Sequence, residues 1–265
     1  TAGTLYSNMF ASHFSDTGTV TIAVTGTNNS SGALASAGSY YYSDGSTGFK
    51  LEDAVRNQLQ GTGSYSAPQG LLTYHFGYNW ELDPNATPSN SEFDFYAVAF
   101  HELTHAVGFT STLKSNGLGL FNDNRWGTFA QFVTDQAGTK VIDPNTFTLN
   151  TAVWNAASVG GTGTGLFFDG ANAVAANGGN LVPLYSPTTW ESGSSSSHVD
   201  ELAPFNGMMM SYSTGTGLGV RDFSEVEVGM LQDLGYTAAV PEPETYAMLM
   251  AGLGVVGFMR RRRKD

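Results

Sequence analysis

The sequence predicts an α+β fold: a twisted sheet, an active-site helix, and an irregular carboxyl-terminal subdomain rich in loops. Three observations predict it. The first eighty residues read strand, helix, strand. A second helix with an apolar back face follows near residue 100. The chain beyond that helix has Gly-rich stretches with no sustained periodicity. Sheet and helices in separate layers, and not in strict βαβ alternation, are the α+β pattern.

Thr19 to Thr25, TVTIAVT, alternates β-branched with small residues, as a strand with one buried face does. Phe49 to Leu59 spaces Leu51, Val55 and Leu59 four apart and stops before Gly61, which predicts an amphipathic helix. Gly70 to Trp80 is aromatic and aliphatic and returns to strand. Ser89 precedes Glu92 by three residues, the spacing of a capping box, so the next helix is expected to run from there to Val107. Phe93, Ala97, Phe100 and Leu103 form its buried stripe, and Gly108 suits a left-handed end. From about Thr110 to Thr188 only short elements are expected. Ser224 caps a closing helix whose core residues are Phe223, Val226, Met230 and Leu234. The expected divisions are 1–109, 110–237 and a tail, 238–265.

Composition narrows function. The chain has 265 residues, no cysteine and a net charge of -12. Zero cysteine removes disulfide scaffolds, thiolate metal sites and thiol nucleophiles together. Five of the eleven basic residues are Arg260 to Lys264, so the body is more acidic than the total and nucleic acid is excluded as a partner.

The segment HELTH places His101 and His105 four apart, on one face of a helix and about 5–6 Å from each other. Two imidazoles so placed grip one zinc ion, and Glu102 lies beside the metal as a general base without being a ligand. Accident would produce this pattern in only about 0.004 places in such a chain. Catalytic zinc takes three protein ligands, so a third is required. The compact metzincin signature would place it at residue 111, which is Ser111. No glutamate stands between Glu102 and Glu191 to take its place. His13, His75 and His198 are the remaining histidines, with His75 expected on a strand near the cleft; Asp123 and Asp135 are the oxygen-ligand alternative.

The segment SGSSSSHVDELAPFNGMMMSYS puts His198 shortly before Met208, Met209 and Met210. Together with HELTHAVGF it resembles the leishmanolysin-like metzincins, zinc metallopeptidases in which an insertion separates the motif helix from the third histidine and a methionine turn lies beneath the metal. The resemblance implies a metzincin-like fold, His198 as the third zinc ligand and Met210 as the turn methionine. It implies a protein or peptide substrate, hydrolysed by zinc-activated water with Glu102 as base and then acid. Tyr212 stands two residues after Met210, where astacin-like metzincins carry a tyrosine that contacts the metal or the oxyanion. The alternative from another class is a non-catalytic surface or matrix protein with a structural or vestigial metal site.

After Tyr236 the character changes. Pro241, Glu242 and Pro243 precede an apolar run of about fifteen residues, short of the roughly twenty that span a bilayer, and then the arginines. This order resembles the PEP-CTERM sorting signal. The resemblance implies an exported protein of a Gram-negative bacterium, held transiently in the inner membrane and processed by an exosortase-type enzyme toward the surface or the extracellular medium.

Overall fold

The computed structural model describes residues 1–30 and 32–239; the Pro-Glu-Pro element, the apolar run and the arginines lie outside the described residues. Six α-helices and four small sheets make a mixed α+β body. The elements run α1 Ala2–His13, β1 Ile22–Thr27, β2 Ala35–Ser39, β3 Tyr41–Tyr42, β4 Glu52–Asp53, α2 Ala54–Leu59, β5 Gly70–His75, β6 Trp80–Glu81, β7 Phe93–Asp94 and α3 Phe95–Ala106. Beyond them lie a 3-10 turn at Thr128–Phe132, β8 Val133–Thr134, α4 Thr151–Ala157, β9 Phe167–Phe168, α5 Ala171–Ala176, β10 Val182–Pro183 and α6 Glu225–Asp233. No helix among the described residues is long and apolar enough to cross a membrane.

The main sheet has the order β1-β5-β2, with β5 parallel to β1 and antiparallel to β2. Leu72 and Tyr74 of β5 point into the core. The β1 strand is present but begins three residues later than the pattern predicts, and its burial differs: as an edge strand it leaves Val24 63% exposed. No residue of β1 is buried, so the expected buried face is absent: a face is buried only if a layer covers it.

The helix expected from Phe49 shortens to Ala54–Leu59. Its first residues are taken by the β3–β4 pairing, and Asp53, not the chain before it, caps the helix by accepting from the Arg56 N–H. The helix expected from Ser89 likewise starts later, at Phe95. The Glu92 carboxylate does receive the Ser89 N–H at 2.9 Å, but this closes a turn and no helix follows from it. Asp94 is the cap instead, accepting from Tyr96 N–H and Ala97 N–H at 3.0 Å each. Phe93 therefore leaves the helix stripe and pairs in β7 with Trp80.

Helix α1 was not foreseen, although Tyr6, Phe10 and Phe14 recur at intervals of four. They pack with Phe100, Phe223 and Tyr236 into the aromatic core behind α3. The Tyr6 hydroxyl meets Thr104 Oγ1 at 3.1 Å, and the Tyr236 hydroxyl donates to the Val107 carbonyl at 2.7 Å. Residues from the first and last described elements thus brace α3. The carboxyl-terminal strap continues past the expected boundary at 237: Ser15 N–H donates to the Thr237 carbonyl and Ala239 N–H to the His13 carbonyl, so the folded body reaches Ala239. The region from 110 to 188 holds only short elements, as its composition predicts, wrapped around buried Trp126, Phe129, Trp154 and Phe168.

Candidate metal centre

Helix α3 carries His101, Glu102 and His105 along one wall of a cleft of about 1200 Å³. Its position is fixed at both ends. At the start, the capping carboxylate of Asp94 also takes Arg221 Nε at 2.9 Å and Arg221 Nη2 at 2.8 Å, together with the Gly219 N–H at 3.1 Å. That last contact needs a glycine, because a Cβ at 219 would stand 2.5 Å from the Ala97 Cβ. At the end, Gly108 adopts a φ of +106°, which L side chains rarely adopt, and turns the chain back. The reversal delivers the Phe109 carbonyl to His105 Nδ1 at 2.6 Å.

His198 comes from a different part of the chain. The segment 191–200 is a chain of tight turns: Glu191 receives the Ser194 and Ser195 N–H groups on its carbonyl, and Ser196 takes a φ of 64°. Around it, Tyr185 N–H donates to the His198 carbonyl and Val199 N–H to the Met210 carbonyl. The loop lands beside the residue at which the compact signature would have placed its histidine. Ser111 N–H donates to Ser197 Oγ at 3.1 Å. The chain after Ser111 moves away, builds its own small sheet, and returns His198 beside Ser111.

The three rings converge. Nε2 of His101 lies 3.1 Å from Nε2 of His105 and of His198, and the latter two are 3.0 Å apart. Each Nδ1 faces a backbone carbonyl: Met209 for His101 at 2.7 Å, Phe109 for His105 at 2.6 Å, and Ser194 for His198 at 2.8 Å. A carbonyl only accepts, so each Nδ1 carries the hydrogen and each neutral ring turns an Nε2 lone pair inward. Three lone pairs at this distance cannot hydrogen-bond to one another, and a shared cation could satisfy all three. Protonation is a poor remedy, because burial lowers the pKa of all three, with His198 pushed down to about 3 by burial and by the neighbouring His101.

The donor set fits a metal ion. Tetrahedral coordination with metal–nitrogen bonds of about 2.0–2.1 Å separates its nitrogens by about 3.3 Å, a few tenths of an ångström more than here. Three imidazoles held by second hydrogen bonds to the protein are the usual arrangement around such ions. Among the described residues, His101, His105 and His198 are the group close enough to share one ion. The aspartate alternative fails on this ground. Asp123 is bound to Arg125, and Asp135 caps its own turn through Ala137 and Thr139 N–H. His13 pairs with Asp222, and His75 bonds Asn29 and Thr27 away from the cleft lining.

Glu102 lies next to His101 on the cleft wall and is only 7% exposed. Burial pushes its carboxyl up to about 8, opposed by the Ala37 N–H. That contact comes from β2, whose residues Ala35 to Ala37 also line the cleft beside α3. Sequence reasoning did not find this wall, for a stretch of Ala, Ser and Gly carries no strand signal.

The three methionines differ in how they meet the cleft. Met210 is fully buried and does not border the cleft, whereas Met208 and Met209 do. It is the Met209 carbonyl that holds His101. Tyr212 borders the cleft and is exposed, with its ring stacked 3.8 Å from that of Tyr185.

Residues 239–264 match the PEP-CTERM protein-sorting motif. The motif implies export through a sorting system of Gram-negative bacteria and processing by an exosortase-type enzyme. No curated protein matches the chain.

Proposed function

We propose that the protein is an exported zinc-dependent endopeptidase of the leishmanolysin-like metzincin kind. The observation that carries this reading is the convergence of three inward Nε2 lone pairs at the wall of an open cleft, with the Glu102 carboxylate adjacent. Imidazole alone would also suit copper, nickel or iron. A histidine triad with a neighbouring carboxylate and an open side favours zinc with hydrolytic chemistry. When bound, zinc supplies a Lewis acid that acidifies water and polarises a carbonyl.

The chain supplies the rest. His101, His105 and His198, each fixed in its Nδ1–H tautomer by a backbone carbonyl, would hold the ion through Nε2. Glu102 takes a proton from water on its carboxylate and passes it to the leaving amine, the base-then-acid role that its buried position beside the histidines suits. The β2 strand supports a peptide substrate in particular. It is the last strand of its sheet on the cleft side, so its outer backbone groups, apart from the Ala37 N–H that faces Glu102, border the cleft where an extended chain would lie. Tyr212 stands at the cleft wall, where a phenol can meet the developing oxyanion. Transient anchoring in the inner membrane by the apolar run belongs to the same proposal.

Two measurements test it: zinc content of the purified protein, and casein hydrolysis before and after a chelator. One zinc per chain, with hydrolysis that stops on chelation and returns with zinc, is the expected result. One tightly held zinc with no hydrolysis of casein or unfolded protein would favour the non-catalytic matrix protein with a structural metal site.

A further inference from the structure

Glu227 is fully buried, and among the described residues no lysine or arginine pairs with it. One of its oxygens is explained by helix α6: Oε2 receives Ser224 N–H and Ser224 Oγ–H, both at 2.8 Å, and closes a capping box. The other oxygen takes no part in that cap. Oε1 receives the N–H of Met210 at 2.6 Å.

The peptide unit joining Met209 to Met210 is therefore engaged at both ends. Its carbonyl accepts from His101 Nδ1 at 2.7 Å, and its N–H donates to a buried carboxylate at 2.6 Å. Hydrogen bonds in series through an amide polarise one another, more so where water is excluded. A carboxylate on the N–H makes the carbonyl a stronger acceptor. A stronger acceptor fixes the imidazole and raises the basicity of its Nε2, the effect a carboxylate has when it contacts a ligand histidine directly. The other two histidines lack this arrangement. The peptide unit that holds His105 ends at Thr110 N–H, which donates to the Gly108 carbonyl, and the one that holds His198 ends at Ser195 N–H, which donates to the Glu191 carbonyl. Both end on neutral groups.

We propose that Glu227 is a positioning residue of the metal centre, acting on His101 through the Met209–Met210 peptide. It touches neither substrate nor metal. The inference rests on the three histidines holding a metal and is independent of peptide hydrolysis.

The test is a competitive zinc titration of the unmodified protein, Glu227→Gln and Ser224→Ala. Ser224→Ala removes the cap hydroxyl but leaves the Met210–Glu227 bond, so it separates helix capping from metal positioning. Glu227→Gln is expected to bind zinc about 10–100-fold more weakly, in the range of changes behind a ligand histidine. Its Co²⁺ form should show shifted visible absorption bands. Ser224→Ala should lose thermal stability while keeping both the affinity and the Co²⁺ spectrum of the unmodified protein. A folded Glu227→Gln with unchanged affinity and spectrum overturns the inference, as does a Ser224→Ala that loses as much affinity as Glu227→Gln. Should Glu227→Gln not fold, the carboxylate ¹³C resonance of Glu227 in the unmodified protein must move on zinc addition, and a stationary resonance overturns the inference. An unmodified protein that takes up no zinc removes the metal reading and the inference together, whereas normal uptake with an unaffected Glu227→Gln removes the inference alone.

Discussion

The two halves of the candidate metal centre are built in opposite ways. His101, Glu102 and His105 stand on α3, where helical geometry alone puts two rings on one face four residues apart. His198 and the methionine segment stand on turns and bridges whose bonds are mostly to distant parts of the chain, such as Ser111, Tyr185 and Glu227. A helix carries its own instructions, since each backbone bond reaches only four residues. A loop site has none of its own and is as well made as the surfaces that clamp it. The helix-borne half should therefore survive perturbations that dissolve the loop-borne half.

The largest effect expected is on chemistry, and it isolates the helix half. Glu102→Gln should lower casein hydrolysis by at least about a hundredfold while zinc content stays at one per chain, because general-base transfer contributes about 10²–10⁴ in rate. Turnover near that of the unmodified protein would remove Glu102 from the mechanism. Next come the ligands. His105→Ala and His198→Ala should both purify with substoichiometric zinc, despite one lying on a helix and the other on a loop, because each removes one of only three donors. His13→Ala and His75→Ala should keep their zinc. Full metal in His198→Ala would show that the loop contributes nothing to the site.

Smaller effects separate how the two halves are supported. Gly108→Ala forces a left-handed backbone on a residue with a Cβ and should cost about 1–2 kcal/mol in the unfolding free energy, measured by denaturant titration. It should also weaken zinc through the Phe109 carbonyl that holds His105. Ser197→Ala leaves the buried Ser111 N–H without its acceptor, which costs about 1–3 kcal/mol if the loop stays in place. The comparison predicts that it does not stay. In the zinc-free form, Ser197→Ala should be cut by added protease within 191–211 while α3 remains intact, and equal protection of both segments would count against the contrast. The smallest effect is that of truncation after Ala239, which should leave folding, zinc content and hydrolysis unchanged, since the strap to α1 is then complete. Truncation after Tyr236 removes the strap and should lower the melting temperature.

What could be read from the sequence was whatever depends on neighbours along the chain. The spacing of His101, Glu102 and His105, the turn glycine at 108 and the cap of α6 at Ser224 are local relations, and each stands where the pattern put it. The capping box to Glu227 was equally available, as Ser224 followed three residues later by glutamate. The sorting motif at 239–264 is likewise a linear signal of composition and order. The misreadings arose where two local patterns competed. Ser89 with Glu92 and Asp94 with Ala97 both look like helix starts, and the packing of Arg221 and Gly219 on Asp94 decides between them.

Tertiary structure alone decided the rest. That His198 and neither aspartate completes the histidine cluster follows from the return of the chain beside Ser111. The cleft lining at Ala35 to Ala37, and the Met209 carbonyl at His101, follow from pairings with β5 and α3. The physical reason is the range of the forces. Helical spacing and turn chemistry act over a few residues and are written in the order of the side chains. A histidine cluster spanning 97 positions of sequence, from His101 to His198, is set by which buried surfaces exclude water together, a property of the folded whole.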